Sequence, residues 1–246
     1  MTSSAEQMEV DQKELTPMET DEYNIKVVDR AEIVQIAKET TGQCINPKWF
    51  AYRRNRITGS MFGSVINAVD YPTTNKIHRI KQSLNGEINL DYLEPIKWGK
   101  NNEQRAIESY CRLTCRTVKQ TGIWLFPSGE LGASPDGLVY ERSNDTQPSG
   151  IIEVKCPYNV RNMHYAEMQQ NKCLPPYITP TLQLNTAHNY YHQVQGELFA
   201  TEAPWCDFVM WTTSSTLIRR VLPNPQWAHD NIPKLKSFYK ALQEKK

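Results

Sequence analysis

No stretch of this 246-residue sequence approaches the roughly eighteen consecutive apolar residues that a membrane span requires. Its N-terminus also lacks the basic-then-apolar order of a secretory leader. These two absences predict an intracellular chain with no membrane partner. Cysteine is present but scattered: Cys44, Cys111, Cys115, Cys156, Cys173 and Cys206 include no CxxC pair. That disfavours a disulfide framework, and equally an iron–sulfur cluster, which needs its thiolates gathered. Cys111 and Cys115, four apart, read as buried thiols on one helical face. His188 and His192 share a similar spacing, yet no HExxH motif or third ligand accompanies them, which argues against zinc. There is no internal repeat. A basic targeting cluster is also missing, so a nuclear location would follow only from a eukaryotic or viral setting.

Charge is nearly balanced at +1 but unevenly placed. Residues 1–23 hold seven acids (Glu6, Glu9, Asp11, Glu14, Glu19, Asp21, Glu22) against Lys13 alone, which leaves +7 on residues 24–246. The leader has few large apolar residues and no helical period, so a disordered acidic tail is expected over 1–23. The remaining 24–246 is long enough for one folded domain with one substantial core. Its basic excess suits a polyanionic partner.

Periodicity then places the elements. DRAEIVQIAKET (29–40) predicts a helix capped by Asp29, and Thr58 and Ser60 predict caps for a helix through Met61, Val65 and Ile66. Residues 70–95 give no clear element. A long helix is expected from Pro95 to Thr114, with Glu103, Ile107 and Tyr110 on its apolar face. TVKQTGIWLF reads as an alternating strand, LGASPDGLVYE as a turn and a strand, and GIIEVKCP as the central buried strand. Helices are expected over 159–170 and 181–201, the second with a stripe of Leu184, Ala187, Tyr191, Val194 and Leu198. A hairpin across Ser214-Ser215 and a closing helix over 225–245 follow. Helices flanking a mixed central sheet give an α/β fold.

The chemistry concentrates in Asp136 of ASPDG and in Glu153 and Lys155 of IIEVKCP. On a strand, Glu153 and Lys155 leave the same face. A buried strand that projects a carboxylate and an ammonium to one side is costly unless something pairs them. Two carboxylates beside a lysine can hold Mg²⁺ against a phosphodiester. Read separately, Asp136-Gly137 could be a simple β-turn and Glu153 with Lys155 an edge-strand ion pair. Glu103 adds a third acid, on the apolar side of a helix where an unpaired carboxylate is disfavoured.

Five blocks in order, WFAYRRNRITGSMFGSVI (49–66), WGKNNEQRAIESY (98–110), LGASPDGLV (131–139), GIIEVKCP (150–157) and YYHQVQGELFAT (190–201), resemble the YqaJ-type viral recombinases. That group includes phage lambda exonuclease and lies within the PD-(D/E)XK nuclease superfamily. The resemblance implies a restriction-endonuclease-like core and a Mg²⁺-dependent deoxyribonuclease, with Mn²⁺ as the alternative ion. By motif, Asp136, Glu153 and the Val154 carbonyl would hold the metal, with Glu103 on its far side directly or through water. Lys155 would hold or deprotonate the attacking water, and Gln193 would face the same site from a helix. Arg53, Ser60 and Ser134 would line a pocket for a 5′-terminal phosphate, though Arg54 and Arg56 compete for the arginine's place. The implied partners are double-stranded DNA ends, a single-strand annealing protein and further copies of the chain in a trimeric ring.

The resemblance thus implies a 5′-to-3′ exonuclease that resects duplex DNA for recombination. The alternatives are an endonuclease of the same superfamily and a non-catalytic DNA-binding module. Two features depart from the phage pattern: the acidic leader, and an apparent insertion over 159–189 that carries Lys172, Pro175, Pro176 and Pro180.

Overall fold

The structure, a computed structural model, describes residues 25–84, 90 and 92–244, so the expected disordered tail over 1–23 lies outside the described residues. Asp29 caps α1 (Arg30–Glu39), its carboxylate accepting from the Glu32 N–H at 2.8 Å. A 3-10 turn (Gln43–Ile45) leads to α2 (Pro47–Arg53), which Asn46 caps. β1 (Ile57–Thr58) runs directly into α3 (Gly59–Asp70). Thr58 takes the N-cap position of α3 but gives no side-chain cap, because its hydroxyl is buried without a partner. α4 (Thr74–Leu84) occupies part of the polar stretch that gave no clear element. α5 (Glu94–Thr114) ends where Cys115 turns left-handed at φ 57, so that thiol is exposed, and Cys111 is only half-buried; neither is the buried thiol expected.

The strands that follow are β2 (Thr117–Lys119), β3 (Trp124–Leu125), β4 (Leu131–Ala133), β5 (Gly137–Tyr140) and β6 (Gly150–Lys155). After α6 (Tyr165–Gln170) and α7 (Asn189–Thr201) come β7 (Cys206–Trp211), β8 (Thr216–Val221) and α8 (Pro225–Gln243). They form two sheets, not one: a five-stranded sheet in the order β2-β5-β6-β7-β8 and a three-stranded sheet in the order β1-β4-β3. In the larger, β6 and β7 are parallel and every other pair is antiparallel. A parallel pair needs a crossover, and α6 and α7 are built into it.

Both strand-rich motifs are therefore cut between sheets. TVKQTGIWLF divides into β2 and β3 at Gly122, whose N–H donates to Ala37 O at 3.0 Å. A Cβ at Gly122 would lie 2.0 Å from Thr40 Oγ1, so the backbone there must press directly on α1. LGASPDGLVYE divides likewise into β4 and β5, leaving Ser134, Pro135 and Asp136 in the crossing.

The larger sheet buries both faces with period-two alternation. Ile151, Phe208, Met210 and Leu217 pack with Val194 and Leu198 of α7, while Val139, Ile152, Val154 and Val209 pack with Ala106, Ile107 and Tyr110 of α5. Each such buried side chain contributes roughly 1.5–3 kcal/mol, which together outweighs the several kcal/mol that seating an ion at a strand end costs. Asp207 on β7 ties α5 to the sheet, accepting the Tyr110 hydroxyl at 2.7 Å and two Arg220 nitrogens at 2.9 Å.

Two expected helices are shorter. The first begins only at Tyr165, after the turns Arg161 N–H to Tyr158 O and Met163 N–H to Val160 O, with His164 as its cap. The second begins at Asn189. Residues 181–188 are not helical: Ile178 bridges to Leu184, Leu182 has φ 59, and Ala187 is exposed, so the expected stripe holds only from Tyr191 onward. Among the described residues no helix is long and apolar enough to cross a membrane.

Candidate active site

Pairing register explains why three charged residues meet. Gly137 lies opposite Ile152 in the antiparallel β5–β6 ladder, so Asp136 falls opposite Glu153. Opposed residues send side chains to one face, and Lys155 follows on that face by alternation. The Asp136 N–H still donates to Ile152 O at 3.1 Å, after which the chain leaves for the smaller sheet. The Val154 N–H, stripped of a strand partner on that side, donates to Asp136 Oδ2 at 2.7 Å. An extended residue points its N–H and C=O to the same side, so the Val154 carbonyl opens into the same gap. Gln43 braces the crossing, its Nε2 donating to Pro135 O at 2.9 Å.

These residues line one cleft of about 490 Å³. Asp136, Glu153 and Lys155 form its floor, and Arg53, Ser60 and Ser134 line it too, with Trp49, Gln193 and Glu197. Lys155 Nζ donates to Glu153 Oε1 and lies 4.3 Å from the Tyr190 ring centroid. Burial alone would lower the Lys155 ammonium, but Glu153 and Asp136 outweigh it and hold the group above the usual lysine range. Burial, with Glu153 and Glu103 adding to it, pushes the Asp136 carboxyl well above the usual carboxylate range. The neighbouring Cys156 thiol is pushed up to about 12 by burial and by Glu103 and Asp136, so it stays protonated and unreactive.

Glu103 is exposed at the side of the cleft, not packed into the apolar core where its helical stripe would put it. Desolvation and then Glu153 raise its carboxyl, while Lys155 and Lys100 act against that rise. It therefore shares the field of the floor residues without lining the cleft. Among the described residues no three His, Cys, Asp or Glu side chains gather closely enough to hold a metal ion by themselves. The donors that fit a hard cation are the oxygens of Asp136 and Glu153 and the Val154 carbonyl, with water completing the shell. One observation favours such a fit. Glu153 is 1% exposed, and its Oε2 is buried with no hydrogen-bond partner.

Gln193 meets the floor from α7, its Nε2 donating to Glu153 Oε1 at 2.6 Å and to Glu197 Oε1 at 2.9 Å. Sequence reasoning missed Glu197. Its signal was an acid one helical turn after Gln193, between Gly196 and Leu198 on a stripe that is otherwise apolar. Burial and Glu153 push its carboxyl well above the usual range, against the Gln193 hydrogen bond. Neither histidine is a ligand candidate. His188 Nδ1 accepts from the Tyr190 N–H as the cap of α7, and His192 Nδ1 accepts from Trp227 Nε1 at 2.8 Å.

Across the cleft, Trp49 organises the second group. Its Nε1 donates to Ser134 Oγ at 3.0 Å, and the Arg53 guanidinium lies 4.1 Å from its ring centroid. Burial pushes Arg53 down to about 10, so it stays cationic at neutral pH, and it makes no ion pair among the described residues. Arg56 is different, buried with Nε on Gly129 O at 2.8 Å and an NH1 on Tyr52 O at 2.9 Å. Arg54 is exposed and does not line the cleft. Ser60 lies in the first turn of α3, where backbone N–H groups and the helix dipole favour an anion.

Residues 48–204 match the YqaJ-like viral recombinase domain. In sequence the chain is similar to the alkaline nuclease of Autographa californica nuclear polyhedrosis virus, 27% identical over 206 residues. That match covers 75% of this chain but 45% of the relative, so the chain spans less than half of that protein's length. In fold it is similar to an alkaline exonuclease from Laribacter hongkongensis, at a TM-score of 0.57 and 23% identity over 80% of this chain and 93% of the other. The Shutoff and Exonuclease Protein of Kaposi's sarcoma-associated herpesvirus gives a TM-score of 0.57 and 12% identity, over 85% and 71%. At such identities the likeness establishes the fold alone, a mixed α/β architecture shared with those exonucleases. Because the matched region takes in most of the chain, including Arg53, Asp136, Glu153, Lys155 and Gln193, the chain belongs to the YqaJ-like viral recombinase domain family.

Proposed function

We propose that this chain is a divalent-metal-dependent deoxyribonuclease that digests duplex DNA from 5′-phosphorylated ends, with Mg²⁺ or Mn²⁺ as cofactor. One observation carries the reading: a cationic phosphate-type group (Arg53, Ser60, Ser134) and an acid–lysine group (Asp136, Glu153, Lys155) line the same cleft. A strand whose terminal phosphate is gripped by the first group lays a following phosphodiester against the second. In this reading nucleotides are removed from that end, and a 3′ overhang suited to recombination remains. The names of the relatives, an alkaline nuclease and alkaline exonucleases, support the same reaction class. A structure of the herpesvirus protein bound to DNA supports nucleic acid as the substrate class.

In this mechanism Arg53 forks onto the terminal phosphate, and the hydroxyls of Ser60 and Ser134 complete its hydrogen bonds. Asp136, Glu153 and the Val154 carbonyl would hold the cation, and Glu103 would reach it through water. When bound, a divalent cation polarises the phosphodiester and lowers the pKa of a water. Lys155 is held charged by its carboxylate neighbours, so its part is to offset negative charge developing on the phosphoryl oxygens. Gln193 sits against Glu153 and orients the floor. The reading also takes in double-stranded DNA ends and a single-strand annealing protein as partners. A trimeric ring and an intracellular site of action, the nucleus in a eukaryotic or viral setting, complete it as expectations from the family.

The test is digestion of linear duplex with Mg²⁺, comparing 5′-phosphate with 5′-hydroxyl ends, a 3′-end label, and a closed circle. Linear duplex with a 5′-phosphate should be degraded and the circle spared. Cutting of the circle would make the chain an endonuclease, and tight binding without cleavage in Mg²⁺ or Mn²⁺ would make it a binding module. Asp136→Ala should lower kcat by about three orders of magnitude, since it removes a group that acts on the transition state.

A further inference from the structure

One nitrogen of Gln193 serves two carboxylates. Nε2 lies 2.6 Å from Glu153 Oε1 and 2.9 Å from Glu197 Oε1, so both of its hydrogens are taken. Turning the amide over would set its carbonyl oxygen against Glu153 Oε1, an oxygen that already accepts from Lys155, so this contact fixes which end faces Glu153. Glu197 is 1% exposed, and its Oε2 is buried without a partner. An isolated buried carboxylate is costly, and an apolar side chain such as those of Val194 and Leu198 would fill this helix face at less cost. Packing therefore gives no reason for an acid here. Its contact with Gln193, at the rear of the cleft that both residues line, does.

We infer that Glu197 is a positioning residue that acts through Gln193. It occupies the second amide hydrogen, holds the nitrogen on Glu153, and so turns the Gln193 carbonyl oxygen towards the cleft as an acceptor for the attacking water. Without the Glu197 carboxylate the amide gains a free hydrogen and a second rotamer, and both Glu153 and the water lose a fixed neighbour. The loss falls on the chemical step, because Arg53, Ser60 and Ser134 grip the DNA from other elements. This inference rests on the nuclease reading and assigns a role within the same site.

Four variants test it: Glu197→Gln, Glu197→Leu, Gln193→Leu and the double Glu197→Leu/Gln193→Leu. A Gln at 197 still offers a carbonyl to the Gln193 amide, so Glu197→Gln should keep kcat within about threefold. Glu197→Leu should lose about ten- to a hundredfold in kcat, with KM for 5′-phosphorylated duplex within about twofold. Added to Gln193→Leu, it should cost no more than about twofold further, because its only route of action is already gone. A second readout needs no activity. In ¹⁵N spectra the Gln193 side-chain amide, assigned by its absence in Gln193→Leu, should be shifted and slow to exchange in the wild type and in Glu197→Gln. In Glu197→Leu it should move to the position of a free amide. The inference is overturned if the two Leu variants multiply, if Glu197→Gln is as impaired as Glu197→Leu, or if the amide signals stay put in Glu197→Leu. A wild type that digests no DNA sinks the nuclease reading instead, and the amide spectra still decide whether Glu197 holds Gln193.

Discussion

At the scale of single residues, the three arginines of YRRNR show how alike side chains separate once their surroundings are known. Sequence alone could not choose among Arg53, Arg54 and Arg56, because nothing local says which one the fold turns inward. The structure gives Arg53 a face of Trp49 and no carboxylate among the described residues, and it gives Arg56 two backbone carbonyls. Their substitutions should fail in different ways. Arg53→Ala should leave the melting temperature almost unchanged but abolish the preference for 5′-phosphate over 5′-hydroxyl ends in a digestion assay. Arg56→Ala removes the hydrogen bonds to Gly129 O and Tyr52 O and should cost about 2–4 kcal/mol in denaturant unfolding, while folded protein keeps its end preference. Equal end preference in wild type and Arg53→Ala would remove Arg53 from the phosphate site. That Glu153 and Lys155 share a face was legible because alternation is a local rule, whereas joining Asp136 to them in one site rested on the family resemblance. Glu197 was not legible, since its meaning depends on Gln193 reaching Glu153, forty positions away in the chain.

At the scale of elements, the crossing of α3 and α7 sets the spacing between the two halves of the cleft, since α3 carries Ser60 and α7 carries Gln193. Two glycines let these helices meet. A Cβ at Gly196 would lie 2.1 Å from Phe62 Cε2, and one at Gly63 would lie 2.7 Å from the Asn189 Cα. Gly196→Ala must push Phe62 or the whole of α7 aside, and overpacking of this kind costs about 1–3 kcal/mol. We expect its melting temperature and kcat to fall together, because Gln193 moves with the helix. A full kcat in a destabilised Gly196→Ala would show that Phe62 yields and that the crossing does not set the spacing. Helix α7 also marks the limit of pattern reading. The sequence pattern extends its apolar stripe back to Leu184, but that residue is buried through a bridge to Ile178, in a loop. A buried residue looks the same in a sequence whichever element buries it.

At the scale of the whole molecule, the sequence pointed to one mixed sheet, and the chain instead builds two, with the cleft where they part. Strand-forming patterns reveal which residues pair but not where a ladder stops. Here it stops because Gly122 and the Ser134–Asp136 crossing carry the chain away to the smaller sheet. That parting gathers acids faster than cations, and the excess has a consequence for stability. Burial of Asp136 and Glu197, partial loss of solvent around the exposed Glu103, and repulsion from Glu153 raise the carboxyls of all three. Above about pH 4 the unfolded chain has lost protons that the folded chain still holds, so these groups make stability fall as pH rises toward their folded values. Lys155 is raised as well, but its contribution is lost only far above neutral pH and does not offset this fall. In the proposed mechanism a divalent cation would take the place of the missing protons, and its binding would strengthen as the carboxylates ionise. In EDTA, then, the wild type should lose more melting temperature than Asp136→Asn between about pH 5 and pH 8. Mg²⁺ should raise the wild type more at the higher pH and leave Asp136→Asn nearly unmoved. Identical pH slopes for the two proteins, each indifferent to Mg²⁺, would mean that the acids of the cleft neither crowd one another nor share a cation.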